Sequence, residues 1–293
     1  MKTVFRSILT VGAIGTGVAL IGTGCAPVRD DAAPGVAGES RMAVLTSDDS
    51  GFYDVAILDM NGNSLHTVDA NLAEPVGLAY HPDDFFLVSA GYSQLLRVDM
   101  DGETSPFNDA PLGSVYRTYV SDDGTTTVSG EYDATQLDPD GEIEQTVNSG
   151  GSNCWMDVTA GLESGSPALL DVFGPTIAVW DGDENTFVNH ASNVGYSANI
   201  LGHDEGGNFY LGSSYDQGLW LVDDNGESTS LGNLSSLGID AWGVKALEPA
   251  STSSVMALVD SNAGNVITEI DAYGNLREVV NAGGQIWLDM VVF

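Results

Sequence analysis

The sequence is poor in positive charge. Only 8 Lys and Arg face 42 Asp and Glu in 293 residues, a formal net charge of −34. A field of that sign repels phosphate backbones and anionic bilayer surfaces, so nucleic acid is set aside as a partner, as is charge-driven lipid binding. Cysteine is also scarce, with only Cys25 and Cys154. That excludes a disulfide framework, and no His with Asn or Asp stands in a thiol-protease context around Cys154, which reads as a small core residue. The four histidines, His66, His81, His190 and His203, lack zinc-ligand spacing, and there is no HExxH. Gly-x-Ser-x-Gly elbows, P-loops and dinucleotide fingerprints are absent too, which argues against an α/β hydrolase or nucleotide enzyme. No stretch reads as an amphipathic helix.

What is present is a beat. An apolar strand ends in Asp, two residues follow, then Gly: LDMNG from Leu58, VDMDG from Val98, LDPDG from Leu137, WDGDE from Trp180, VDDNG from Val222 and IDAYG from Ile270. The leading aspartates are Asp59, Asp99, Asp138, Asp181, Asp223 and Asp271, and only the fourth copy lacks the Gly. A period of about 40–45 residues is that of a propeller blade. Each period from the second onward holds short apolar runs of strand length separated by Gly, Asp, Asn and Ser. Val76–Tyr80, Phe85–Ser89 and Gln94–Val98 are the clearest, followed by a polar fourth strand from Ser105. Four antiparallel strands per repeat make a blade.

The ends are out of phase. Met42–Leu45 and Asp54–Leu58 read as second and third strands with no first strand before them, and Ile286–Phe293 reads as a first strand with nothing after it. The C-terminal strand is therefore expected to complete the N-terminal blade and remove the open edges of the ring. The expected fold is all-β: a six-bladed β-propeller over residues 41–293, with four-stranded antiparallel blades.

Residues 1–24 read as an export signal, with Lys2 and Arg6 ahead of an uncharged run from Ile8 to Ile21 that is short for a membrane span. Gly22-Thr23-Gly24-Cys25 resembles a bacterial lipobox. That resemblance implies acylation of Cys25, a lipid anchor in the bacterial envelope and, with Ala26 next, outer-membrane retention. A plainly secreted protein and an uncleaved anchor are the alternatives. Residues 25–40, with Pro27, Pro34, Gly35 and Gly38, form a flexible linker.

The turns are candidates for calcium loops, but Gly falls at the fourth position and further oxygen ligands are missing, so they read as hairpins. Chemistry is expected instead on the first strands, which line a propeller's axis. Aligned by count, these read Gly77-Leu78-Ala79, Arg117-Thr118-Tyr119, Trp155-Met156-Asp157, Asn199-Ile200-Leu201, Gly243-Val244-Lys245 and Trp287-Leu288-Asp289. This puts Asp157 and Asp289 at the level of Lys245. Arg117, Trp155, Asp157, Lys245, Trp287 and Asp289 are the candidate ligand-binding residues of the channel. An internal salt-bridge network closing the ring is the competing reading.

From Glu74-Pro75-Val76 through Leu96-Arg97-Val98-Asp99-Met100-Asp101-Gly102 the chain resembles NHL and SMP-30/gluconolactonase blades. The gluconolactonase resemblance implies one divalent cation, calcium by its oxygen ligands, held by Glu74, Asn153 and Asp240. The family's Asn-Gly and Asp-Gly pairs are missing at the last two. Three functions stay open: a monomeric, non-catalytic binding module for a small molecule or protein, a metal-dependent lactonase-type hydrolase, and a structural protein of the envelope.

Overall fold

A computed structural model describes residues 40–47, 51–91, 93–148, 154–163, 165–195, 197–262 and 264–293. The expected signal segment, Cys25, nearly all of the linker and Asn153 lie outside them. Among the described residues there are 24 strands and no helix.

The strands form six four-stranded antiparallel sheets. The first contains β1 (Arg41–Ser47), β2 (Phe52–Asp59) and β3 (Ser64–Ala73), with β24 (Ile286–Val292) inside β1. The second is β4 (Pro75–His81), β5 (Phe85–Ala90), β6 (Gln94–Asp99) and β7 (Thr104–Pro106). The third is β8 (Thr118–Val120), β9 (Thr126–Ser129), β10 (Asp133–Leu137) and β11 (Ile143–Asn148). The fourth is β12 (Trp155–Ala160), β13 (Pro167–Asp171), β14 (Thr176–Asp181) and β15 (Thr186–Ser192). The fifth is β16 (Ile200–His203), β17 (Phe209–Gly212), β18 (Gly218–Val222) and β19 (Ser228–Asn233). The sixth is β20 (Ala241–Ser251), β21 (Ser254–Ser261), β22 (Gly264–Asp271) and β23 (Leu276–Asn281). The chain is a six-bladed β-propeller. Its inner strands β24, β4, β8, β12, β16 and β20 contact one another in a closed ring.

Closure is as the termini imply. β24 pairs antiparallel with β1, and Phe293 and Arg41 exchange backbone hydrogen bonds of 2.7 and 2.9 Å. Each blade then meets the next through its own apolar cluster. Leu45, Val55 and Val68 pack on Phe86 and Val88 between the first and second blades. Met42 and Val44 pack on Met256 and Leu258 between the first and sixth. Second strands are sandwiched on both faces, so β5 (FFLVSA) and β13 (PALLD) are buried throughout. Fourth strands form the rim, and β7 (TSP) is exposed throughout.

The Asp–Gly turns act as punctuation. The Asp59 carboxylate accepts the amides of Asn61 (2.9 Å) and Asn63 (2.8 Å), and Asp138, Asp223 and Asp271 each accept the amides two and four residues on. The closing Gly has two reasons. Gly102 has φ of 88°, and a Cβ there would lie 2.6 Å from the Asp69 carbonyl of the preceding blade's outer strand. In the fourth blade, which lacks the Gly, Asn185 takes the left-handed conformation one residue later, at φ 54°. The 48-residue spacing between Asp223 and Asp271 predicts a longer first turn over Glu248–Ser254, but β20 instead continues through Ser251, which pairs with Ser254.

Candidate functional site

Strand direction gives the ring two faces. The upper face carries the turns from inner to second strands, together with the Asp–Gly turns. The lower face carries the hairpins from second to third strands and the connections between blades.

The axis is set by bulges. Counted along the ladders from the leading Asp of each turn, Gly77, Arg117, Asp157, Ile200, Ala246 and Asp289 stand at one level. The aspartates therefore share the level of Arg117, not that of Lys245, which precedes Ala246. Register shifts at Trp155/Asp157, at Val44/Thr46 opposite β24, and at Val244/Ala246 insert residues that a simple count cannot see.

At this level the cluster has an approximate two-fold pattern. Asp289 and Asp157 lie on opposite blades, and each reaches the inner strand of the next blade. Asp289 Oδ2 accepts Leu78 N–H (2.7 Å), and Asp157 Oδ2 accepts Leu201 N–H (2.8 Å). Arg117 breaks the symmetry. Its guanidinium pairs with the Asp289 carboxylate and donates to the carbonyls of Val76 (2.9 Å) and Lys245 (2.8 Å), tying β8 to β24, β4 and β20. Glu248, two residues past the common level on β20, borders the same small void.

One guanidinium thus sits among three carboxylates. Burial pushes the Asp157 carboxyl up to about 7, against the pull of Arg117 and the Leu201 amide, with Asp289 adding to the rise. Burial also raises Asp289, and it raises Glu248 well above the carboxylate range with help from the Asp289 and Asp157 charges. Burial works against the Arg117 cation, but the carboxylates outweigh it and raise its pKa. Burial thus favours the protonated form of each of the three carboxyls.

The other channel candidates separate from this cluster. The Lys245 ammonium donates to the Trp287 carbonyl (3.0 Å) and lies 3.7 Å from Asp260. Trp155 packs against Phe187, Val158 and Leu169, and Trp287 against the core shared by the first and sixth blades, so both rings are inter-blade core. Glu74 and Asp240 are exposed on the lower face, and their carbonyls accept the amides of Gly91 and Asn262. Cys154 is a buried free thiol.

Above the cluster, a cavity of about 860 Å³ opens on the upper face. Glu248 borders both the cavity and the void below it. Tyr80, Tyr119 and Phe293 supply aromatic wall, and Asp122, Asp204 and Glu205 add carboxylates, with no Lys or Arg among the described lining residues. His203 also lines it. Burial lowers its pKa to about 4, so it is neutral, and its Nδ1 lies 3.0 Å from Thr159 Oγ1. Sequence reasoning placed Glu248 in a turn and so missed it. Its signal was weak: one Glu before a Pro, visible only once the bulged strand was continued.

No family model matches the chain, and no curated protein matches its sequence. Solved structures match its shape. A chain of the nidogen/laminin complex aligns at a TM-score of 0.63 and 14% identity, covering 87% of this chain and 98% of that one. Streptogramin B lyase aligns at 0.58 and 14%, covering 74% and 71%. TolB from Acinetobacter baumannii aligns at 0.60 and 12%, covering 86% and 67%. One is named for a complex of proteins and another as a lyase, so at these identities the likeness establishes the propeller fold and leaves function to the site.

Proposed function

We propose that the protein is a non-catalytic binding module that holds a small, polar, non-anionic ligand in the upper cavity. The observation carrying this reading is the 860 Å³ cavity with Glu248 at its floor. That volume falls in the usual range for small-ligand sites, about 300–1,000 Å³. The aromatic wall offers stacking, the carboxylates accept hydrogen bonds, and the lack of Lys and Arg disfavours carboxylate and phosphate ligands. Below the cavity, the Arg117–Asp289 pair is committed to holding blades together and is not free for proton transfer. The test is a thermal-shift series with spermidine, glycine betaine, glucose and citrate as probes. Spermidine, glycine betaine or glucose should raise Tm, and the mouth-filling Ala160→Trp should remove the effect. Stabilisation by citrate alone, or stabilisation that survives Ala160→Trp, would overturn the reading.

In the same proposal the module is exported and held in the bacterial envelope, at the outer membrane, by a lipid on Cys25. The charged start, apolar run and small residues before Cys25 support this. Cys25→Ser should move the protein from the membrane to the soluble fraction, and continued membrane retention would count against the anchor.

A further inference from the structure

The lower face carries a second feature, independent of what the cavity holds. Tyr132, Phe173 and Tyr215 occupy the same position of the second-to-third hairpin in three successive blades, and they are 45%, 72% and 80% exposed. The sequence has Tyr92 at the same offset in the second blade. Phe52 follows this hairpin in the first blade at 49% exposure, and Trp242, 66% exposed, is the second residue of β20, where the chain enters the sixth blade. Large aromatics so exposed cost solubility and add nothing to the core. Their return at one hairpin position, on one face, makes them a surface rather than scattered residues.

We infer that this face docks a basic, arginine-bearing protein surface. The aromatics are spread over separate blades, so one small ligand cannot reach them together, whereas a protein face burying about 800 Å² can. Carboxylates accompany the rings: Glu131 and Asp133 flank Tyr132, Asp216 follows Tyr215, and Glu74 and Asp240 are exposed on the same face. The cation found there among the described residues, Lys245, is turned inward onto the Trp287 carbonyl. A planar ring beside a carboxylate suits a guanidinium, which stacks on the first and forms hydrogen bonds to the second. Aromatics and arginine are also the residues that dominate protein interfaces.

The test titrates the full-length protein with a peptide of alternating arginine and glycine, followed by calorimetry. Trp242→Ser and the pair Phe173→Ser with Tyr215→Ser leave net charge unchanged, and each should weaken binding about tenfold. Tyr273→Ser, an equally exposed aromatic on the upper face (88%), should leave binding unchanged. Circular dichroism checks that each variant is folded, and Tyr215→Phe, which keeps the ring, should retain affinity. If the lower-face variants bind the peptide as tightly as the parent, net charge alone holds it and the inference is overturned. It is also overturned if maltohexaose, a neutral glycan, binds and is lost with the same substitutions while the peptide is not.

Discussion

The Arg117 guanidinium on the third blade closes on the Asp289 carboxylate at the C-terminal end of the chain, two blades round the ring. The same guanidinium donates to the carbonyls of Val76 and Lys245, so one side chain joins four inner strands. Its side chain is only 18% exposed and that of Asp289 only 5%. Replacing Arg117 by Met would strand three carboxylates and two carbonyls around the axis. Breaking a buried pair from one side costs about 3–5 kcal/mol. Urea denaturation should show a loss of that order for Arg117→Met and a smaller one for Arg117→Lys, which keeps charge but not the fork. A loss below about 1 kcal/mol for Arg117→Met would show that the pair does not hold the ring.

Asp157 gives stability a pH dependence. It titrates at about 7 in the folded chain, against about 4 for a free Asp. Between those values the folded state keeps a proton that the unfolded chain has lost. The contribution of this group is full below about pH 4 and falls as pH rises through 7. The turn aspartates act in a separate window. Asp59 is held below the usual carboxylate range chiefly by the Asn63 side-chain amide, and Asp223 chiefly by the Glu227 backbone amide, so their contributions are lost only as acid protonates them. His203, held at about 4 by burial against about 6.5 for a free His, works the other way, adding stability as pH rises to about 6.5. The Asp157 contribution is therefore read as the difference between parent and Asp157→Asn, which chemical denaturation from pH 4 to 8 should show changing through the window up to about 7. A difference that stays constant across that window would assign the effect elsewhere.

Ring closure can be weakened at its last residue. Phe293 stacks on Tyr80 at 4.2 Å between ring centroids and meets Phe86 edge-on at 5.7 Å, so the C-terminus of the closing blade is clasped by the second blade. Phe293→Ala removes both ring contacts but keeps the backbone exchange with Arg41. With Phe293 partly exposed, the cost should be about 1–2 kcal/mol, below that of a fully buried Phe. Hydrogen exchange should report faster opening of β24 and β1 with little change in β12–β15. Uniform acceleration would mean that the ring opens only as a whole.

The fold was legible because a propeller is written locally. Each Asp–Gly turn needs a side-chain acceptor for its amides and, in five copies, a left-handed Gly, and both requirements show as letters at a fixed period. The offset of Met42–Leu45 against Ile286–Phe293 likewise gave ring closure, since a lone first strand can pair only with a lone second one. Trp155, Trp287 and Lys245 were harder. They stand on inner strands, so the sequence could name them, but bulges decide where each side chain faces.

By itself the sequence determined the repeat, the six blades, the closure and the acidic character, because these depend on composition and on contacts between chain neighbours. The sequence already named Arg117, Asp157 and Asp289 as channel residues, but only the tertiary structure decided that they share one level of the axis and that Glu248 borders them. Those residues come from four strands on four blades, and inserted residues shift their levels, so no spacing in the chain encodes their meeting. The same holds for Tyr132, Phe173, Tyr215 and Trp242. Three are ordinary loop aromatics in the sequence and Trp242 opens an inner strand, and the alternating strand directions of a closed ring turn all four to one face.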